Sequence, residues 1–201
     1  MPGHFEPTPG GGAAVSLDEV EISIIRSLAV QLLELVGPGP GGDAPADPLA
    51  ELFADGPTEP PADPVLHRLF PDAYGSPADP VGTPEEAAER TARSSEFRRF
   101  TENDLRARKR EDALAVVRAL DGLALDGEGV AVLRLAPDDC RCWLGALNDL
   151  RLAIGTRLDI TDEDDTDLLY RLPDEDPRKP MVMAYLWLGG LQETLVTTLL
   201  P

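Results

Sequence analysis

WLGALNDLRLAIGTRL, from Trp143 to Leu158, decides the reading of this chain. Trp143, Leu147, Leu150, Ile154 and Leu158 recur at i, i+4, i+7, i+11 and i+15, the spacing that puts apolar side chains on one stripe of a core-facing helix. Asn148, Asp149, Arg151 and Arg157 interrupt the apolar run. Asn148 and Arg151, three apart, share a face. With Asp149 they read as a structural polar clasp to another helix or a second subunit, preferred over a ligand-binding arginine because no second polar cluster supplies a partner site. Upstream, Ala136-Pro137-Asp138 opens the helix, and Cys140-Arg141-Cys142 falls at its start.

Outward from this block the chain reads as mainly α, a bundle-like single domain with Pro/Gly-rich connectors and at most one short β element. Residues 1–15 read as a disordered tail and residues 16–201 as the domain, with a flexible connector at about 37–83. Ser16 and Glu19 form a capping box, followed by Leu17, Val20, Ile24, Ile25, Leu28, Leu32, Leu35 and Val36 at helical spacing up to Gly37. Two short helices are expected at Leu49–Phe53 and Val65–Phe70, each opened by Asp-Pro. Thr83-Pro84-Glu85-Glu86 is a second capping box. No breaker follows before Gly122, so one long helix runs there, or two broken near Asn103-Asp104. Gly129–Leu135 is β-branched and short, and reads as a strand. Thr161–Asp167 is an acidic loop or helix start. Asp176-Pro177 opens the last helix, Arg178 to about Leu200, apolar nearly all round.

Composition narrows the function. The 201 residues carry 37 acidic and 18 basic side chains, a formal net charge of −19. Such a surface repels nucleic acid and favours protein partners. Arg90, Arg93, Arg98, Arg99, Arg106, Arg108, Lys109 and Arg110 form one basic stretch, interleaved with Phe97, Phe100 and Leu105. Acidic neighbours dilute it, so Arg98, Arg99, Arg106, Arg108, Lys109 and Arg110 are candidates for a protein contact, with direct DNA contact weak or indirect. Met1–Gly12 lacks the apolar region of a signal peptide, and no apolar run is long enough for a membrane span, so a cytoplasmic location with no membrane role is expected. His4 and His67 have no ligand spacing to the two cysteines, so no metal is expected, and nothing asks for a cofactor. No nucleophile–base order stands out, so the chain does not read as an enzyme.

The residues Trp143-Leu144, Leu147-Asn148-Asp149, Arg151-Leu152 and Gly155-Thr156-Arg157-Leu158 resemble an actinobacterial family long carried as a domain of unknown function. Supporting matches are the basic run Phe100–Arg110, Tyr185-Leu186-x-Leu188 and Leu191-Gln192-Glu193. The resemblance spans the C-terminal two-thirds and, weakly, the first helix. The studied branch of that family consists of oxidation-sensing transcriptional regulators. The resemblance therefore implies a helical homodimer that senses oxidants through thiols and acts on transcription through a protein of the transcription machinery, such as a sigma factor.

On their own physics, Cys140 and Cys142 are the candidate redox-active pair. With Asp138 or Asp139 as the cap, both thiols sit in the first turn, where the helix dipole and Arg141 lower a thiol pKa and the two aspartates oppose. Residues two apart on a helix point about 200° from each other, so an internal disulfide has to unwind the turn. The competing readings are a helical interaction or scaffold protein with passive cysteines and, more remotely, a small-molecule enzyme using Arg151 and Asn148.

Overall fold

The computed structural model describes residues 3–37, 55–75, 82–161, 165 and 169–200. In chain order it runs β1 (Glu6–Thr8), β2 (Gly12–Asp18), α1 (Glu19–Val36), α2 (Pro64–Leu69), α3 (Pro84–Asp121), β3 (Val130–Leu135), α4 (Pro137–Arg157) and α5 (Lys179–Leu199). The protein is mainly α, as the sequence reading expects. The β part is larger than expected: an antiparallel three-stranded sheet in the order β1-β2-β3.

The supposed tail is where the reading fails. Gly10 and Gly11 take φ of +106° and +86°, a left-handed turn closed on Thr8 O, and fold the start of the chain into a hairpin. Ala13, Val15 and Leu17 then alternate with Ala14, Ser16 and Asp18. The first three face the core and pair in register with Leu135, Leu133 and Ala131 of β3. Ser16 is therefore a strand residue, not a helix cap. The cap is Asp18, whose carboxylate accepts from Glu21 N at 2.8 Å while Glu21 accepts from Asp18 N. The other capping expectations hold at Thr83–Glu86 and at Asp63, which caps α2 with Pro64 at its first position. α3 is one unbroken helix of 38 residues, so Asn103-Asp104 does not interrupt it. The expected helix at Leu49–Phe53 lies outside the described residues, as do Asp162, Glu163, Asp164 and Asp167 of the acidic segment.

One core joins these elements. The inner face of the sheet and Phe5 meet Cys140, Trp143 and Leu147 of α4; α1 and α3 pack on one another and on α4; α5 closes the other side with Val182, Leu188, Leu191 and Leu195. Trp143 lies edge-on to Phe5 at 6.2 Å, and Phe5 N donates to Thr194 Oγ1 of α5, so the hairpin ties two helices. No helix among the described residues is long and apolar enough to cross a membrane.

The first half of α3 is held by ions rather than by apolar contact. Arg98, 4% exposed, donates to Glu102, to Asp72 Oδ1 at 2.9 Å and to Phe70 O at 3.1 Å, and Glu102 also binds Arg106. Removing one partner of such a pair strands the other charge away from water. Glu102→Ala should lower unfolding stability by about 3 to 5 kcal/mol in a urea titration, whereas Glu89→Ala, which breaks the exposed pair with Arg93, should leave the midpoint unchanged.

Candidate functional site

The site is built where β3 hands over to α4. Pro137 occupies the first helical position and Ala136 is the cap; Ala136 has no side-chain acceptor, and Asp139 accepts from Ala136 N at 3.2 Å instead. Neither Asp138 nor Asp139 is thus the capping residue. Cys140 N already donates to Ala136 O, and its side chain is fully buried among Phe5, Ala13 and Trp143, with Sγ 4.0 Å from Leu135 O. Cys142, two residues on, is half-buried on the side of α3, beside the Asp112 carboxylate. The two sulfurs leave the helix in divergent directions, and both cysteines are free.

Their environment reverses the expected activation. Burial pushes the Cys140 thiol up, with a backbone bond at Ala13 opposing. Burial also pushes Cys142 up, reinforced by Asp112 and by the negative charges of Asp139 and Glu111. Arg141, exposed and paired with Asp138, lowers the Cys140 thiol but is outweighed. Both sulfurs are held as thiols, the less nucleophilic form.

One turn further, Asn148, Asp149 and Arg151 turn to different neighbours. Asn148 is exposed beside Asp149 and opposes the rise of its carboxyl pKa. Asp149, 2% exposed, receives Lys109 Nζ of α3 at 2.6 Å. Arg151 reaches the opposite way, donating to Gln192 Oε1 of α5 at 2.7 Å with its guanidinium 5.0 Å from the Tyr185 ring centre. Residues 149 and 151 lie about 200° apart around the helix, so they grip opposite neighbours. Gly189 faces the guanidinium, where a Cβ would make ordinary contact with Arg151 Nε at 3.4 Å.

Most of the basic stretch is committed inside the chain. Besides Arg98, Arg106 donates to Val36 O and covers the Phe70 ring at 4.4 Å, Arg110 donates to Leu33 O and Gly37 O, Lys109 holds Asp149, and Arg99 pairs with Asp55. Arg108 is exposed and bears on Asp112. Among the described residues no group of three His, Cys, Asp or Glu side chains is placed to hold a metal ion.

Sequence reasoning missed Asp112 and Gly145. Asp112 follows Lys109 by three and Gly145 follows Cys142 by three, so each shares a helix face with a residue already singled out. Those spacings were the available signal.

Compared with known proteins, the chain matches the family described as Domain of unknown function (DUF2017) over residues 2–199. It is 30% identical over 187 residues to proteins named oxidative stress regulator AosR from Mycobacterium bovis and from Mycobacterium tuberculosis H37Rv, covering 92% of this chain and 81% of each relative. No solved structure matches it.

The Lys109–Asp149 pair has a pH signature. Burial raises the Asp149 carboxyl, while Lys109 and Asn148 oppose that rise. In Lys109→Met the carboxyl rises further. A raised carboxyl favours folding below its unfolded pKa, and that contribution is lost as pH rises through the folded value. The variant should therefore be destabilised by about 3 kcal/mol at pH 7, with the gap to the native chain narrowing in urea titrations towards pH 4.

Proposed function

We propose, from the premise that this chain belongs to the DUF2017 family, that it is a cytoplasmic regulator of the oxidative stress response. It senses the oxidant through Cys140 and Cys142 and acts on transcription without catalysing a reaction of its own. The carrying observation is the placement of the two free thiols at the β3–α4 junction, one inside the core and one at its edge. The name shared by the mycobacterial relatives supports the same reading.

The chemistry follows from access. A peroxide reaches Cys142 first, because Cys140 is fully buried. The Cys142 sulfur attacks one peroxide oxygen, the O–O bond breaks, and water leaves as the sulfur becomes a sulfenic acid. The Cys140 sulfur then displaces the hydroxyl as a second water, and the S–S bond forms. Divergent side chains prevent closure in an intact helix. The first turns of α4 must unwind, which withdraws Cys140 and Trp143 from Phe5 and the hairpin.

The output in this reading passes through protein contact, with a transcription-machinery component such as a sigma factor as the partner class. The −19 charge and the internal commitment of Arg98, Arg106, Lys109 and Arg110 leave little basic surface for DNA. The rival reading, a helical scaffold with passive cysteines, draws on the raised thiol pKa values.

Thiol counting by mass spectrometry separates the two. Peroxide should remove two free thiols per chain and change Trp143 fluorescence, and Cys142→Ser or Cys140→Ala should abolish both responses. Alanine is preferred at 140 because a hydroxyl buried there needs a partner. Two thiols surviving peroxide would leave the scaffold reading.

Assembly is the second expectation. α5 leaves Met181, Met183 and Val196 exposed, with Leu200 just beyond it and open space over Gly190. A homodimer through this helix covers them. Light scattering at micromolar concentration should give twice the 21.6 kDa chain mass, and a monomer would defeat the assignment.

A further inference from the structure

We propose that Asp112 is a positioning residue for Cys142: its carboxylate, seated over Gly145 at the α3–α4 interface, limits how fast this sulfur reacts. The inference deepens the sensor reading and rests on Cys142 being the sulfur that oxidant meets first.

Three observations converge on it. Cys142 and Gly145 are three apart on α4 and share the face turned to α3. A Cβ at position 145 would lie 2.5 Å from Asp112 Oδ2 and 3.3 Å from its Cγ, so only glycine leaves the carboxylate its place. That same carboxylate bears on the Cys142 thiol and pushes its pKa up. A further carboxylate accounts for the nearest lysine: Lys109, three residues before Asp112, is bound to Asp149.

The remaining charges leave the pocket negative. Glu111 from α3 and Asp139 from α4 both oppose a thiolate at Cys142, and Asp149 adds to the negative field at Asp112. Arg108 offsets Asp112 from the solvent side, while Arg141 is tied to Asp138. A carboxylic acid is far stronger than a thiol, so the proton rests on sulfur. A fixed negative charge beside it disfavours the thiolate. Asp112 is therefore a restraint and not a general base.

The test uses the full chain, iodoacetamide and hydrogen peroxide, with peptide mass spectrometry reading Cys140 and Cys142 separately. In alkylation, the Cys142 sulfur attacks the methylene carbon, iodide leaves, and the thiol proton goes to solvent. Asp112→Asn keeps the size and removes the charge. It should raise Cys142 alkylation at pH 7 about fivefold and shift the midpoint of its pH–rate profile down, with the high-pH plateau unchanged. Cys140 labelling should stay as slow as in the native chain. Gly145→Ala displaces the carboxylate without touching its charge and should act in the same direction.

An unmoved midpoint, or slower alkylation, overturns the proposal. So does a plateau that rises together with Cys140 labelling, since that reports a loosened interface. Faster Cys142 alkylation without any peroxide-induced bridge between the cysteines sustains the role of Asp112 and sinks the sensor reading alone.

Discussion

Asp149 sits 2% exposed between two helices and needs a cation there, and Lys109 supplies it from across the α3–α4 interface at 2.6 Å. A buried carboxylate tolerates little slippage, because sliding α3 by one turn would strand both charges. That single contact fixes the register of the two helices. With Lys109 opposite Asp149, Asp112 comes opposite Gly145 and within reach of Cys142. On the other side of α4, Arg151 holds Gln192 and Tyr185, so the central helix is pinned from both flanks. The thiol environment is a consequence of this register.

The strongly acidic composition hides a division of labour. The scarce basic side chains are concentrated on α3, where they bind carbonyls of α1, the Phe70 ring and the acids of the same helix. They neutralise buried carboxylates and satisfy helix-end acceptors, tasks that would otherwise leave polar groups unpaired.

Elements with a strong local signal were legible. The α3 capping box, the Asp63-Pro64 start, the β-branched strand after Gly129 and the periodicity of Trp143–Leu158 each carry their own physics, and each is present. The hairpin was not legible because EPTPGGGAAV has the composition of a tail, and its alternation begins only at Ala13. Leu17 and Val20 also fit a helical spacing, which drew the helix start back to Ser16. Pairing with β3, more than a hundred residues away, decides between the two. The cysteine pair was visible, but its chemistry was not. Arg141 looked like an activating charge until Asp138 took it, and Asp112 gained meaning only across the interface. Charge neighbours in space outweighed those in sequence.

On the proposed reading, the compartment gives a thiol held protonated its use as a sensor. In a reducing cytoplasm a low-pKa cysteine reacts with every passing oxidant and is soon reduced again, whereas one kept as a thiol reacts slowly in proportion to its small thiolate fraction. On the proposed reading, burial and Asp112 set a threshold. Brief or weak oxidation leaves Cys142 untouched, and sustained oxidation is needed to form the sulfenic acid. The second step adds a further barrier, since Cys140 must leave the core before the bridge can close. The same packing of Phe5, Ala13 and Trp143 that stabilises the reduced fold therefore opposes the oxidised one. On that reading, fold stability and oxidant sensitivity are coupled through one helical turn.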